Sequence, residues 1–229
     1  MNTEWIQLKA GDGTELAAYV VRPEGEPKAA LVVVQEIFGV NQQIQKTAEE
    51  WASHGFLCIA PAMFDRVEKG VNLNYNQADF EKGYGLMQQF SEGLMDQTKD
   101  VKAAVDWLRS ETDKPVGVVG YCFGGTMAWL SATRLKVEAA AGYYGGSIAN
   151  FLNEEPQCPV ILHFGVDDQY IPAEARDAIQ TAHPEVPIFV YENAGHAFAR
   201  GVDPTHYAAE AATLANKHTL LFFQQHFGL

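Results

Sequence analysis

A chain of 229 residues, 47% hydrophobic and 20% charged, has the composition of one sizeable globular domain rather than a fibrous or disordered protein. Its net charge of −13 argues against binding a phosphate backbone, and it holds no run of the roughly 18 apolar residues needed to span a membrane. Met1 to Gly11 carries Glu4 and polar residues where a secretion leader has basic and then apolar ones. The expectation is a soluble, cytoplasmic protein with Cys58, Cys122 and Cys158 as reduced thiols.

In chain order, Trp5 to Leu8 and Thr14 to Val21 read as a hairpin turning at Asp12-Gly13. Ala29 to Gln35 is a nearly continuous apolar run, the mark of a strand covered on both faces. Phe56 to Ala60, Val116 to Gly120, Ala139 to Tyr144, Val160 to Phe164 and Ile188 to Tyr191 repeat that character. Helices are expected between them. Asn41 to Ser53 turns Ile44, Ala48 and Trp51 to one face, and Met95 to Ser110 does the same with Val101, Ala104, Val105 and Leu108.

Further helices are expected at Thr126 to Thr133, at Ala173 to Ala182 after Pro172, and from about Thr205 to Gln225. The last should bury Ala208, Ala211, Leu214, Ala215, His218, Leu221 and Phe222. Asp65 to Gln77 is polar and aperiodic and reads as a long surface loop. Strands alternating with helices define an α/β protein with a mostly parallel sheet flanked by helices and an antiparallel hairpin at its start. No linker or repeat divides residues 1–229, so one domain is expected.

Val116 to Gly125 reads V-G-V-V-G-Y-C-F-G-G and runs from a buried strand into a helix. That is the setting of a nucleophile elbow, G-x-Nu-x-G, with Cys122 in the nucleophile position. Gly120 and Gly124 leave room where side chains would clash, and the helix N-terminus favours a thiolate and a developing oxyanion. An inert buried cysteine in a glycine-rich turn is the competing reading.

An acid and a base should follow in chain order. Asp167 and Asp168 lie just past a strand end, where α/β sheets place catalytic groups, although Asp also shapes turns and caps helices there. Gly195-His196 lies on the loop after the last strand. The other six histidines, His54, His163, His183, His206, His218 and His226, fall within strands, on helices or at their ends.

Four blocks together carry a family likeness: Q-E-I-F-G-V-N (Gln35 to Asn41), G-Y-C-F-G-G (Gly120 to Gly125), G-V-D-D-Q-Y-I-P (Gly165 to Pro172) and Y-E-N-A-G-H-A-F (Tyr191 to Phe198). In them the chain resembles the dienelactone hydrolases, or carboxymethylenebutenolidases, of the α/β-hydrolase fold. The resemblance implies Cys122 as nucleophile, His196 as base and Asp168 as the acid that orients it. It further implies that Glu36 helps turn the thiol into a thiolate, and that the N–H groups of Ile37 and Phe123 form an oxyanion hole.

The same likeness implies two arginines binding a substrate carboxylate. Arg200 matches one of them. Where the other is expected this chain has Asp79-Phe80-Glu81, and Arg66 or Lys82 stands as the substitute. Phe38, Tyr84, Tyr144 and Phe198 are candidates for lining the acyl pocket by their placement near strand ends. The expected activity is hydrolysis of a small ester or lactone through an acyl-enzyme, by a monomer or small homo-oligomer without metal or organic cofactor. The competing classes are a non-catalytic relative binding a small ligand and a thiol redox sensor.

Overall fold

The computed structural model describes residues 1–93 and 96–229, in two compact units, Met1–Val118 and Val119–Leu229. In the first unit, β1 (Asn2–Lys9) and β2 (Glu15–Arg22) form the hairpin, with Asn2 opposite Arg22 and Lys9 opposite Glu15. Its turn closes where Thr14 N–H donates to the Asp12 carboxylate at 3.1 Å and Gly13 takes a positive φ of 89°. The hairpin is antiparallel to β4 (Phe56–Pro61), and β4 runs parallel to β3 (Ala29–Val34). Every residue of β3 and β4 is buried, as their unbroken apolar runs require.

Helix α1 (Gln42–Ser53) starts where the Asn41 side chain accepts from the N–H groups of Gln43 and Ile44, and it buries Ile44, Ala48 and Trp51. Helix α3 (Lys99–Glu111) buries Val101, Ala104, Val105 and Leu108. The expected start of that helix at Met95 lies outside the described residues.

Two readings of this unit need correction. The segment from Asp65 is not a surface loop throughout. Met63–Arg66 is a 3-10 turn, and Val71 and Leu73 are buried. Asp65 is buried because its carboxylate accepts from Ala17 N–H and Gly70 N–H, both at 2.9 Å, so its polarity serves the backbone instead of water. The second correction is a helix, α2 (Gln77–Gly93), that the sequence reading passes over. Gly83 and Gly85 lower its helical propensity, but Gly83 is there for contact: a Cβ on it would sit 2.3 Å from the Ile37 carbonyl oxygen.

Strand β5 (Val116–Tyr121) contains the boundary between the units. In the second unit β6 (Ala139–Tyr143), β7 (Val160–Gly165) and β8 (Ile188–Tyr191) pair in that order, all parallel. Helix α4 (Phe123–Arg134) begins three residues earlier than its apolar run suggests. Helix α5 (Ala173–Ala182) follows Pro172, and α6 (Ala209–Phe227) ends at Gly228 in the left-handed conformation.

The buried stripe of α6 is also shifted from expectation. Ala211, Ala212, Ala215, Thr219, Phe223 and Phe227 face inward, whereas Leu214 and Leu221 are about half exposed. A polar anchor lies on this inward face. Thr219 shares hydrogen bonds of 2.8 Å with the hydroxyl of Tyr143 and with Nε2 of His163, whose Nδ1 pairs with Tyr191 Oη. Phe223 and Phe227 are buried on the same face, so the inward stripe joins apolar packing to this polar anchor. Burial also pushes the His163 imidazole down to about 3, so it stays neutral in this network. Among the described residues no helix is long and apolar enough to cross a membrane.

Candidate active site

Cys122 stands at the N-cap of α4 with φ 56° and ψ −115°, a backbone conformation that side chains rarely adopt. The turn is held on both sides. Cys122 N–H donates to the Tyr143 carbonyl at 3.0 Å, and the Cys122 carbonyl accepts from Gly125 N–H at 2.9 Å. No other residue type fits at position 120, because a Cβ on Gly120 would lie 1.8 Å from the Gly124 carbonyl oxygen. The result is a half-buried thiol at the positive end of a helix dipole.

The acid and the histidine reach it through a second backbone approach. A Cβ on Gly165, the last residue of β7, would meet the Ala194 carbonyl oxygen at 2.1 Å. That closeness lets Asp167 N–H donate to the same carbonyl at 2.9 Å, stitching the β7 exit to the loop after β8. Asp167 points outward and is exposed, while Asp168 is buried. Asp168 Oδ2 accepts from His196 Nδ1 at 2.9 Å, and its Oδ1 accepts from Tyr170 N–H at 2.9 Å.

His196 Nε2 lies 3.1 Å from Cys122 Sγ. A carboxylate only accepts, so Nδ1 carries a proton and Nε2 is left to exchange one with the thiol. Positive φ angles at Asn193 (54°) and Ala197 (63°) bracket the histidine and aim its ring. Burial opposes a charge on His196, yet the Cys122 sulfur and the Asp168 carboxylate outweigh it and raise the imidazole to about 10.

That shift makes a stability prediction. A histidine raised above its unfolded value of about 6.5 contributes stability that is complete below that pH and lost as pH rises through about 10. Urea unfolding from pH 6 to 10 should therefore show a steeper alkaline decline for the native chain than for His196→Gln. Parallel curves would contradict the coupling.

The surroundings of the histidine are aromatic. Tyr144, buried with φ 40°, sets its ring edge-on to His196 at 5.2 Å and to Phe198 at 5.3 Å. Tyr170, not among the site residues expected from the sequence, packs edge-on to the His196 ring at 5.0 Å and is 64% exposed. Its place two residues after Asp168 was the available signal. Phe123 is the first residue of α4 and is buried.

Arg200 is buried, and its Nη1 donates to Asp203 at 3.2 Å; the same carboxylate oxygen pairs with His206 Nδ1 at 2.7 Å. Cys58 and Cys158 are free thiols, and burial pushes both up, Cys158 to about 11.

The remaining site residues expected from the sequence belong to the first unit. Glu36 and Phe38 are buried, the latter edge-on to Tyr75 at 4.7 Å, and Ile37 makes the close backbone approach to Gly83. Lys82 pairs with Glu68 at 2.6 Å on the surface, and Tyr84 is exposed beside Phe80. Arg66 is engaged with two carboxylates of the first unit. Its Nε and Nη2 reach Asp100 at 2.8 and 2.6 Å, while Nη1 and Nη2 reach Asp12 at 2.8 and 3.2 Å. Nη1 also donates to Thr14 Oγ1 at 2.8 Å, so all five N–H donors are engaged. The guanidinium clamps the hairpin turn to α3.

Similarity to solved structures defines the class first. The chain matches a provisionally named dienelactone hydrolase from Klebsiella pneumoniae with a TM-score of 0.80 at 24% identity, over 98% of this chain and 100% of that one. It matches an α/β serine hydrolase homologue from Coxiella burnetii with a TM-score of 0.68 at 17% identity, over 95% and 98% of the two chains. The fold is that of the α/β hydrolases. Sequence narrows it further. The model of the dienelactone hydrolase family matches residues 16–227. Carboxymethylenebutenolidases of Pseudomonas putida and Pseudomonas knackmussii are each 34% identical over 230 residues, covering 97% of this chain and 96% of theirs. The chain belongs to the dienelactone hydrolase family.

Proposed function

We propose that the protein hydrolyses a small ester or lactone through an acyl-enzyme on Cys122, with His196 as general base and Asp168 as its orienting acid. The observation that carries this reading is the pair of contacts made by one imidazole, 3.1 Å to the thiol and 2.9 Å to a buried carboxylate. His196 Nε2 takes the thiol proton, and the thiolate adds to the acyl carbon. Phe123 N–H, with Ile37 N–H, stabilises the oxyanion. Collapse expels the alkoxide or enolate, which takes the proton from His196. Water, deprotonated by His196, then adds to the thioester, and the thiolate leaves. Glu36 assists by favouring the thiolate when substrate arrives.

Substrate chemistry follows from the nucleophile. A thiolate leaves readily, so its tetrahedral adduct tends to collapse backwards when the substrate's own leaving group is poor. Activated esters and enol lactones therefore suit this nucleophile better than amides. The relatives at 34% identity bear the name carboxymethylenebutenolidase, which denotes a lactone carrying a carboxylate.

In this chain Arg200 is the arginine proposed to meet such a carboxylate. Its charge is already shared with Asp203, and the chain's net charge of −13 repels anions. Matched esters and lactones with and without a carboxylate test the point. The carboxylate form should be preferred in kcat/KM by about tenfold at most, the equivalent of roughly 1.4 kcal/mol, and Arg200→Ala should abolish the preference. Equal turnover of both forms, unchanged in the variant, would remove carboxylate recognition from the proposal while leaving ester hydrolysis intact.

A further inference from the structure

A second cluster of chemistry-bearing side chains lies in the Val119–Leu229 unit and shares no residue with the hydrolytic machinery. His183, at the C-cap of α5, is fully buried. Its Nε2 sits 3.0 Å from the Leu152 carbonyl oxygen. A carbonyl only accepts, so Nε2 carries the proton and Nδ1 presents its lone pair. That Nδ1 has no hydrogen-bond partner. A buried acceptor without a partner costs free energy and calls for an explanation.

What faces Nδ1 is a pair of carboxylates. Glu155 Oε2 is 3.6 Å away and Glu185 Oε1 is 3.7 Å away, and the three atoms all lie within 4.8 Å of one another. The spacing leaves room for a shared ion. It is too long for an N–H···O hydrogen bond, whose usual limit is about 3.2 Å. Zinc bonds to nitrogen and oxygen are about 2.1 Å, so two ligands of a tetrahedral ion stand roughly 3.4 Å apart. Each carboxylate oxygen thus stands within a few tenths of an ångström of that separation from Nδ1. Both are mostly exposed, with free side chains, so adjustment is cheap and solvent can enter.

The histidine has the support expected of a metal ligand. Its other ring nitrogen is fixed by a backbone carbonyl, and Trp129 packs edge-on against the ring at 4.9 Å. We propose that Glu155, His183 and Glu185 form a divalent transition-metal site, suited to Zn²⁺, with a fourth position left to water. One imidazole and two carboxylates form a borderline-hard donor set that suits zinc better than calcium or magnesium, which prefer oxygen alone. The ion would tie the loop before β7 to the loop between α5 and β8, a structural clip in place of two like charges held together.

Zinc titration of the full chain by calorimetry tests this. The Cys122→Ala background removes the active-site thiol as a competing ligand. One ion per chain should bind, with the thermal midpoint rising as zinc is added. Glu155→Gln and Glu185→Gln, both at exposed positions that leave the fold intact, should each weaken binding by about tenfold or more. No zinc uptake by Cys122→Ala protein would overturn the proposal. So would uptake that neither glutamine variant weakens, because the ion would then be held elsewhere.

Discussion

Cys122→Ala is expected to lose ester and lactone turnover by roughly 10⁴-fold or more in kcat, with the fold unchanged. The size follows from the chemistry the thiol performs. Without it there is no thioester, and the oxyanion donors are left to stabilise direct attack by water, which they do poorly. Alanine also fits the site, since Cys122 sits with a positive φ that the turn already imposes, and the hydrogen bonds of the turn are made by backbone atoms. A melting temperature close to that of the native chain should accompany the loss. Serine in the same place is a sharper probe: a hydroxyl gives up its proton far less readily than a thiol, and Cys122→Ser should remain far below the native rate. Turnover by Cys122→Ala within tenfold of native would end the acyl-enzyme reading.

Asp168→Asn should cost about 10⁴-fold in kcat with little change in KM, for a reason of tautomers. The buried carboxylate only accepts, and thereby fixes the proton on Nδ1 of His196. An amide can donate to Nδ1 instead. The ring then carries its proton on Nε2, facing Cys122, and can no longer accept the thiol proton. Because the second oxygen of Asp168 also accepts from Tyr170 N–H, asparagine keeps the shape of the loop and isolates the electronic effect. Activity that recovers at high pH, where the thiolate forms without a base, would support this account. A loss appearing wholly in KM would argue that Asp168 shapes the pocket rather than the proton transfer.

The sequence was most legible where a single physical pattern dominated. Continuous apolar runs marked strands such as Ala29–Val34 because a strand covered on both faces has no polar residues to alternate. The strand ends that carry Cys122 and Asp168 were legible from Gly120 and Gly165, because a Cβ on either would run into backbone. Legibility failed where polar groups were recruited inward. Asp65 looked like surface because nothing local shows that Ala17 N–H, far along the chain, needs an acceptor. Leu214 and Leu221 looked buried because apolarity alone cannot reveal that Thr219 is anchored between Tyr143 and His163. Glu155, His183 and Glu185 escaped notice for a related reason: two loops bring them together, with no motif spacing between them.

Gly83 hides α2 from a propensity argument and also fixes where that helix lies. The position has a lesson for protein engineering. Along Gln77–Gly93 the exposed residues are open to replacement by stronger helix formers, and Gly85, whose Cβ would meet nothing within 4 Å, is a natural first choice for alanine. The identical change two residues earlier would drive a methyl group into the Ile37 carbonyl and twist the peptide plane beside a proposed oxyanion donor. Two glycines on one helix thus separate a stabilising edit from a disabling one, a distinction that a consensus of helical propensities would miss.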